Sequence, residues 1–315
     1  MLSKLAFVFP GQGSQAVGMG KVFTEKNETC NEFMQKADKA LGFELSTLML
    51  EGPQDELTLT YNAQPALLTV GAMIAARLEE EGITPDYTAG HSLGEYTALV
   101  ESKVLSFEDA VVAVHKRGLY MNDAVPAGKG AMAAILGMDR DVLESITANI
   151  TESGHPVQPA NLNCPGQIVI SGAKEGVDKA CTALKEAGAK RALPLNVSGP
   201  FHSVLMQPAA GELQKTLEGI DMKDAKIPVI ANVTADEVTK QDEIKKLLVE
   251  QLYSPVRWEE SIEKLLELGV TRFIECGPGK VLSGLIRKID RTAKVYPVYD
   301  EETLEKLLEE AKGWS

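Results

Sequence analysis

Strand-like and helix-like segments take turns along most of this chain, and that alternation limits the fold more than any single motif does. Leu5–Phe9 is a short apolar run ended by Pro10-Gly11-Gln12-Gly13, which reads as a buried strand and its turn. Helical periodicity follows near residues 31–41, 65–81 and 93–101, and Ser106 opens another helix with Asp109 three positions on as a capping-box partner. Beyond His202 come a helix, a strand at Pro228–Val233, and helices at 242–252 and 257–268. A strand at Arg272–Glu275, a helix after Gly277-Pro278-Gly279, a strand at Lys294–Val298 and a last helix complete the order. Such an order predicts an α/β fold with a mostly parallel sheet covered on both faces.

The middle of the chain follows a different pattern. After a linker around Pro126-Ala127-Gly128-Lys129-Gly130 come strand Ala131–Leu136, helix Asp139–Asn149 and strand Val157–Asn163. Strand Gln167–Ser171, helix Lys174–Gly188 and strand Arg191–Val197 close the series. The order β-α-β-β-α-β is that of a ferredoxin-like unit. Residues 128–197 therefore read as a small inserted subdomain, and 1–127 with 198–315 as the large one.

At 315 residues the chain is long enough for both. A net charge of −13 argues against general nucleic-acid binding, which needs a basic surface. Four scattered cysteines form no C-x-x-C pair and suggest neither a metal site nor a disulfide framework. The apolar run at the N-terminus is too short for a signal-peptide core, and no segment is long enough to span a bilayer. A cytoplasmic protein is expected.

Gly90-His91-Ser92-Leu93-Gly94 fits G-x-S-x-G, the strand-to-helix elbow that presents a serine oxygen. A serine hydroxyl needs a base to take its proton, and there are four histidines to choose from. His91 adjoins the serine and should point away, His155 lies in a polar stretch, and His115 falls on the polar side of its helix. His202, in Ser198-Gly199-Pro200-Phe201-His202-Ser203, is the remaining candidate.

Wrapped at helical spacing, Arg117 falls beside Ala110, Ala113, Val114 and Met121. An arginine on an apolar stripe must pair with an internal acid, snorkel out, or grip the carboxylate of a ligand. The loop Pro10-Gly11-Gln12-Gly13-Ser14-Gln15 also has two readings. It loosely imitates a dinucleotide fingerprint, although the second strand ending in an acid is missing. Alternatively its glycines hold Gln12 near a developing oxyanion, beside the N–H of Leu93.

Taken together, Phe9-Pro10-Gly11-Gln12-Gly13-Ser14-Gln15, Gly90-His91-Ser92-Leu93-Gly94-Glu95-Tyr96 and Arg117 resemble the malonyl-CoA:acyl carrier protein transacylase family. Gly199-Pro200-Phe201-His202-Ser203 and Glu275-Cys276-Gly277-Pro278-Gly279 extend the resemblance to about residue 280, in the family's order. It implies an α/β-hydrolase-like large subdomain with a ferredoxin-like small one. It further implies Ser92 as the acylated nucleophile, His202 as its base, and Gln12 with the N–H of Leu93 as the oxyanion hole. Arg117 would hold the malonyl carboxylate, and the backbone carbonyl of Gln251 would orient the histidine. Phe201 would narrow the site against a branched acyl group, and Met121 joins it as a substrate-binding residue.

The resemblance implies malonyl-CoA as substrate, an acyl carrier protein as partner and fatty acid biosynthesis as setting. A monomer without metal or bound cofactor is expected. Since such carriers are acidic, local cations such as Lys190, Arg191, Arg287 and Lys288 are expected to meet them. A serine thioesterase or esterase, a nucleotide-binding module and a polyketide-pathway acyltransferase are the competing readings. The first would carry an acidic triad member and have no need of Arg117.

Overall fold

The computed structural model describes residues 4–314. Its strands are β1 (Lys4–Phe9), β2 (Tyr87–Gly90), β3 (Gly130–Leu136), β4 (Val157–Cys164) and β5 (Gln167–Ala173). They continue as β6 (Arg191–Pro194), β7 (Val229–Ile230), β8 (Glu237–Val238), β9 (Val270–Cys276) and β10 (Lys294–Val298). Six of them form one sheet in the order β10-β9-β1-β2-β7-β8, parallel except for the β7–β8 pair. The chain thus has the α/β architecture expected of it, a mostly parallel sheet accompanied by a second, antiparallel one.

Central β1 shows how the sequence builds this. Alternate side chains leave a strand on opposite faces, so Leu5, Phe7 and Phe9 enter one core while Ala6 and Val8 enter the other. The first core is closed by helices that include Thr60–Glu80 and Phe107–Asp123. The second is closed by Trp258–Glu267 and Val281–Ile289, through Trp258, Ile262, Leu282 and Ile286. With both faces covered, β1 carries no polar alternation.

Strands β3 to β6 form a separate antiparallel sheet in the order β4-β5-β3-β6. Helices Arg140–Glu152 and Lys174–Glu186 pack Leu143, Val177 and Leu184 against its Ile135, Leu162 and Ile170. The antiparallel sheet is tied to the segment before helix Trp258–Glu267 by Asn161 bridging to Val256, with Leu162 N–H donating to the Val256 carbonyl at 2.9 Å.

Several sequence expectations need correction. The strand expected over Arg191–Val197 is shorter, Arg191–Pro194, an edge strand in which proline is tolerated, and Leu195 N–H still donates to Met132 O at 2.9 Å. The strand expected over Pro228–Val233 pairs only at Val229–Ile230, since Asn232 turns inward to another task. Ser106 caps its helix by accepting from Asp109 N–H at 3.1 Å, but Asp109 takes the serine hydroxyl at 2.6 Å rather than the backbone donor. Helices Lys21–Lys26, Leu45–Glu51 and Gln54–Thr58 are too short for their periodicity to show.

Candidate active site

The carboxyl ends of β1, β2, β7 and β9 lie along one edge of the parallel sheet, where ligands bind in open α/β folds. Ser92 follows β2 directly and precedes helix Leu93–Glu101. Its backbone is held at φ 52° and ψ −106°, outside the ordinary regions for a residue with a side chain. The flanking glycines are demanded by space. A Cβ on Gly90 would lie 1.9 Å from the Gly94 carbonyl carbon, and one on Gly94 would lie 2.0 Å from Phe9 O. The elbow helix therefore sits directly on the end of β1.

Ser92 Oγ lies 2.8 Å from Nε2 of His202. The other ring nitrogen, Nδ1, lies 2.8 Å from the main-chain carbonyl of Gln251. A carbonyl can only accept, so Nδ1 carries the proton and Nε2 is left as the acceptor for the serine hydroxyl. Burial, reinforced by the positive charge of Arg117, pushes the His202 pKa down to about 3 against the pull of the Gln251 carbonyl. The imidazole is therefore neutral at physiological pH, the form a base must have.

Arg117 is 1% exposed. Nη1 donates to Gln64 Oε1 at 2.6 Å, and Nη2 donates to Gln251 Oε1 at 2.9 Å and to Ser92 Oγ at 3.1 Å. Its guanidinium carbon stands 5.5 Å from the centre of the Tyr96 ring. No carboxylate forms an ion pair with it among the described residues, which answers the question its apolar stripe raised. Gly118 makes the arrangement reachable: a Cβ there would lie 2.4 Å from Tyr61 Cα. The two helices can therefore pack closely enough to set Gln64 against the arginine.

A cavity of about 230 Å³ opens onto these groups, lined among others by Gln12, Leu93, Met121, Phe201 and Leu195. Gln12 Nε2 donates to Thr60 Oγ1 at 3.2 Å. The N–H of Leu93 is in the first turn of its helix, where no intrahelical acceptor exists. Phe201 and Met121 are buried in the cavity wall, and the Met121 sulfur accepts from Gln64 at 3.4 Å. His91 turns away to Asn163 Oδ1 at 2.8 Å. A larger depression of about 770 Å³ lies at the other end of β1, around Leu5, and holds none of these residues.

Comparison with known proteins decides the family. The acyl transferase domain family matches residues 6–311. A malonyl CoA-acyl carrier protein transacylase of Bacillus subtilis is 58% identical over 311 residues, covering 99% of this chain and 98% of the relative. The chain belongs to the malonyl CoA-acyl carrier protein transacylase family. The structure of an acyl carrier protein S-malonyltransferase from Vibrio cholerae superposes with a TM-score of 0.95 at 45% identity, covering 97% of this chain and 100% of the other. A malonyl-transacylase in complex with a type II polyketide-synthase acyl-carrier protein superposes with a TM-score of 0.95 at 43% identity, covering 98% and 100%.

Three side chains of this acyltransferase's site escaped the sequence reading. Asn232 Oδ1 accepts from Ser92 N–H at 2.7 Å, and Glu95 Oε2 accepts from Asn232 N–H at 3.0 Å and Gln251 Nε2 at 2.8 Å. Gln64 is the third. Each is a buried polar residue within an apolar run, and that was the available signal. The motif at Glu275 has a structural explanation. Its carboxylate accepts from the N–H groups of Leu282 and Ser283, at 3.0 and 2.7 Å, and so caps helix Val281–Ile289. Of the cations expected to face a carrier protein, Arg287 donates to Val295 O at 2.9 Å and Lys288 to Gln167 Oε1 at 3.1 Å.

Proposed function

We propose that this acyltransferase moves the malonyl group from malonyl-CoA to the phosphopantetheine thiol of an acyl carrier protein, through an ester on Ser92. His202 Nε2 takes the serine proton as Oγ bonds to the thioester carbon. The tetrahedral intermediate then collapses with cleavage of the carbon–sulfur bond, and the CoA sulfur leaves with the proton from His202. The carrier thiol reverses these steps. Gln12 and the N–H of Leu93 are assigned to the oxyanion, the Gln251 carbonyl to orienting His202, and Phe201 and Met121 to the walls around the acyl group. Residues 128–197 are taken as the small subdomain that covers one side of the site.

The observation that carries this reading is the buried Arg117 fork, 3.1 Å from Ser92 Oγ and unpaired with any acid among the described residues. In a malonyl ester three bonds separate Oγ from the carboxylate carbon, about 4 Å at full extension. A free acid one methylene beyond the ester carbonyl therefore meets the guanidinium. A thioesterase reading loses support because His202 Nδ1 meets a peptide carbonyl where an acidic triad member would stand.

Transfer supplies extender units for fatty acid biosynthesis, and the same thiol chemistry would serve a polyketide carrier. A thioester is already activated, so the reaction as written calls for no metal or bound cofactor. We place it in the cytoplasm as a monomer. The four cysteines are free, which fits a reducing compartment, and no helix among the described residues is long and apolar enough to cross a membrane. The test is CoA release from malonyl-CoA with and without an acyl carrier protein. One equivalent is expected without acceptor and continuous turnover with it; continuous release without acceptor would identify a hydrolase.

A further inference from the structure

Where β2 becomes the elbow, its sheet neighbour runs out. Strand β7 pairs Val229 with Thr88 and Ile230 with Ala89, and then ends. The next peptide groups of the elbow, the Gly90 carbonyl and the Ser92 N–H, have no strand to bond to. One side chain takes the place of that strand. Asn232 Nδ2 donates to Gly90 O at 2.7 Å while its Oδ1 accepts from Ser92 N–H at 2.7 Å. Asn232 is 1% exposed and stands outside the cavity wall.

Asn232 is itself held. Its backbone N–H donates to Glu95 Oε2, one turn beyond Ser92. The same carboxylate oxygen accepts from Gln251 Nε2, which also donates to the Ser92 carbonyl at 3.1 Å. The N–H and the C=O of Ser92 are thus both gripped by side-chain amides that share one anchor. Strained conformations persist only where surrounding contacts over-determine them, and these are the contacts around Ser92.

We propose that Asn232, anchored by Glu95, is a positioning residue of the transfer reaction. It holds the Ser92 backbone in the conformation that sets Oγ between His202 and Arg117. The inference rests on the assignment of Ser92 as the acylated residue. Only a group that both donates and accepts can span the elbow. Ionised aspartate at position 232 would place an oxygen against Gly90 O, and alanine would leave both peptide groups unpaired in a buried site.

The test is single-turnover acylation, followed by CoA release over a range of malonyl-CoA and acetyl-CoA concentrations. A displacement of the nucleophile by about 1 Å costs about 100-fold in rate, so Asn232→Ala and the equal-sized Asn232→Asp should lose about that much of the limiting rate. The loss should be equal for both acyl groups with half-saturation unchanged, because Arg117 and the pocket wall are untouched. Glu95→Ala, which frees Asn232 but leaves it in place, should lower both rates to a lesser degree. A general structural defect would instead move half-saturation and melting temperature together. Native acylation rates in folded Asn232 variants, or a loss confined to malonyl-CoA, overturn the proposal. Ser92→Ala serves as the control: acylation persisting there would defeat the Ser92 assignment rather than the role of Asn232.

Discussion

Arg117→Ala separates recognition of the acyl group from the chemistry of the serine. In the native site the guanidinium is fixed by Gln64 at 2.6 Å and Gln251 at 2.9 Å, leaving its face toward Ser92 for a ligand. A malonyl carboxylate bound there forms a buried, hydrogen-bonded charge pair. Removing one member of such a pair costs about 3–5 kcal/mol, because the other charge stays buried without compensation. At about 1.4 kcal/mol per decade, kcat/KM for malonyl-CoA should fall about 10²- to 10⁴-fold. Acetyl-CoA has no carboxylate to strand, so its transfer should be kept or improved, and the malonyl-to-acetyl preference should collapse. Arg117→Lys keeps the charge without the planar fork and should fall between. If, as proposed, Arg117 fixes the malonyl group so that a water cannot take the attacking position, any malonyl-enzyme formed by the alanine variant should hydrolyse faster relative to transfer. The assay is CoA release with each thioester, with and without carrier protein, on variants whose melting curves match the parent. Unchanged malonyl kinetics would refute the reasoning.

Two further outcomes follow from the elbow and its base. Gly94→Ala would set a methyl group 2.0 Å from Phe9 O; overpacking of this kind costs about 1–3 kcal/mol, and melting temperature and acylation should fall together, whereas native values for both would show that the close approach is unnecessary. His202 binds its proton near pH 6.5 when unfolded but only near pH 3 when folded. The unfolded state holds more protons between those values, so this contribution to stability is complete above pH 6.5 and is lost as pH falls toward 3. Glu95, raised by burial from 4.5 to about 7, acts in the opposite sense: the folded state holds the extra proton, and its contribution fades as pH rises through that window. Melting temperatures of His202→Gln should therefore decline less than those of the parent between pH 7 and 4, and parallel declines would contradict the account.

The alternating elements, the elbow and the serine–histidine pair were legible in the chain because each has a local cause. Strand β1 is a continuous apolar run, Gly90 and Gly94 bracket the turn, and the other histidines lie in places that suit them poorly as bases. Arg117 was legible as an anomaly, a cation on an apolar stripe, but the missing acid could be established only in three dimensions. Gln251 came through the family resemblance alone, for nothing in its helix marks a carbonyl that receives His202. The roles of Asn232 and Glu95 were hidden by distance: Asn232 meets Ser92 across 140 positions and Glu95 across 137. Both nonetheless interrupt apolar runs, Asn232 after Val229-Ile230-Ala231 and Glu95 in a helix otherwise buried almost throughout. A buried polar residue in such a run must find a partner, and here the partners are the backbone of the nucleophile and each other.

The most direct examination of the central claim is intact mass followed by peptide mapping after brief mixing with malonyl-CoA. One malonyl group on the peptide that carries Ser92, discharged on addition of an acyl carrier protein and absent from Ser92→Ala, is the predicted result. An adduct that survives in Ser92→Ala, or transfer that proceeds in the parent with no adduct formed, would contradict it.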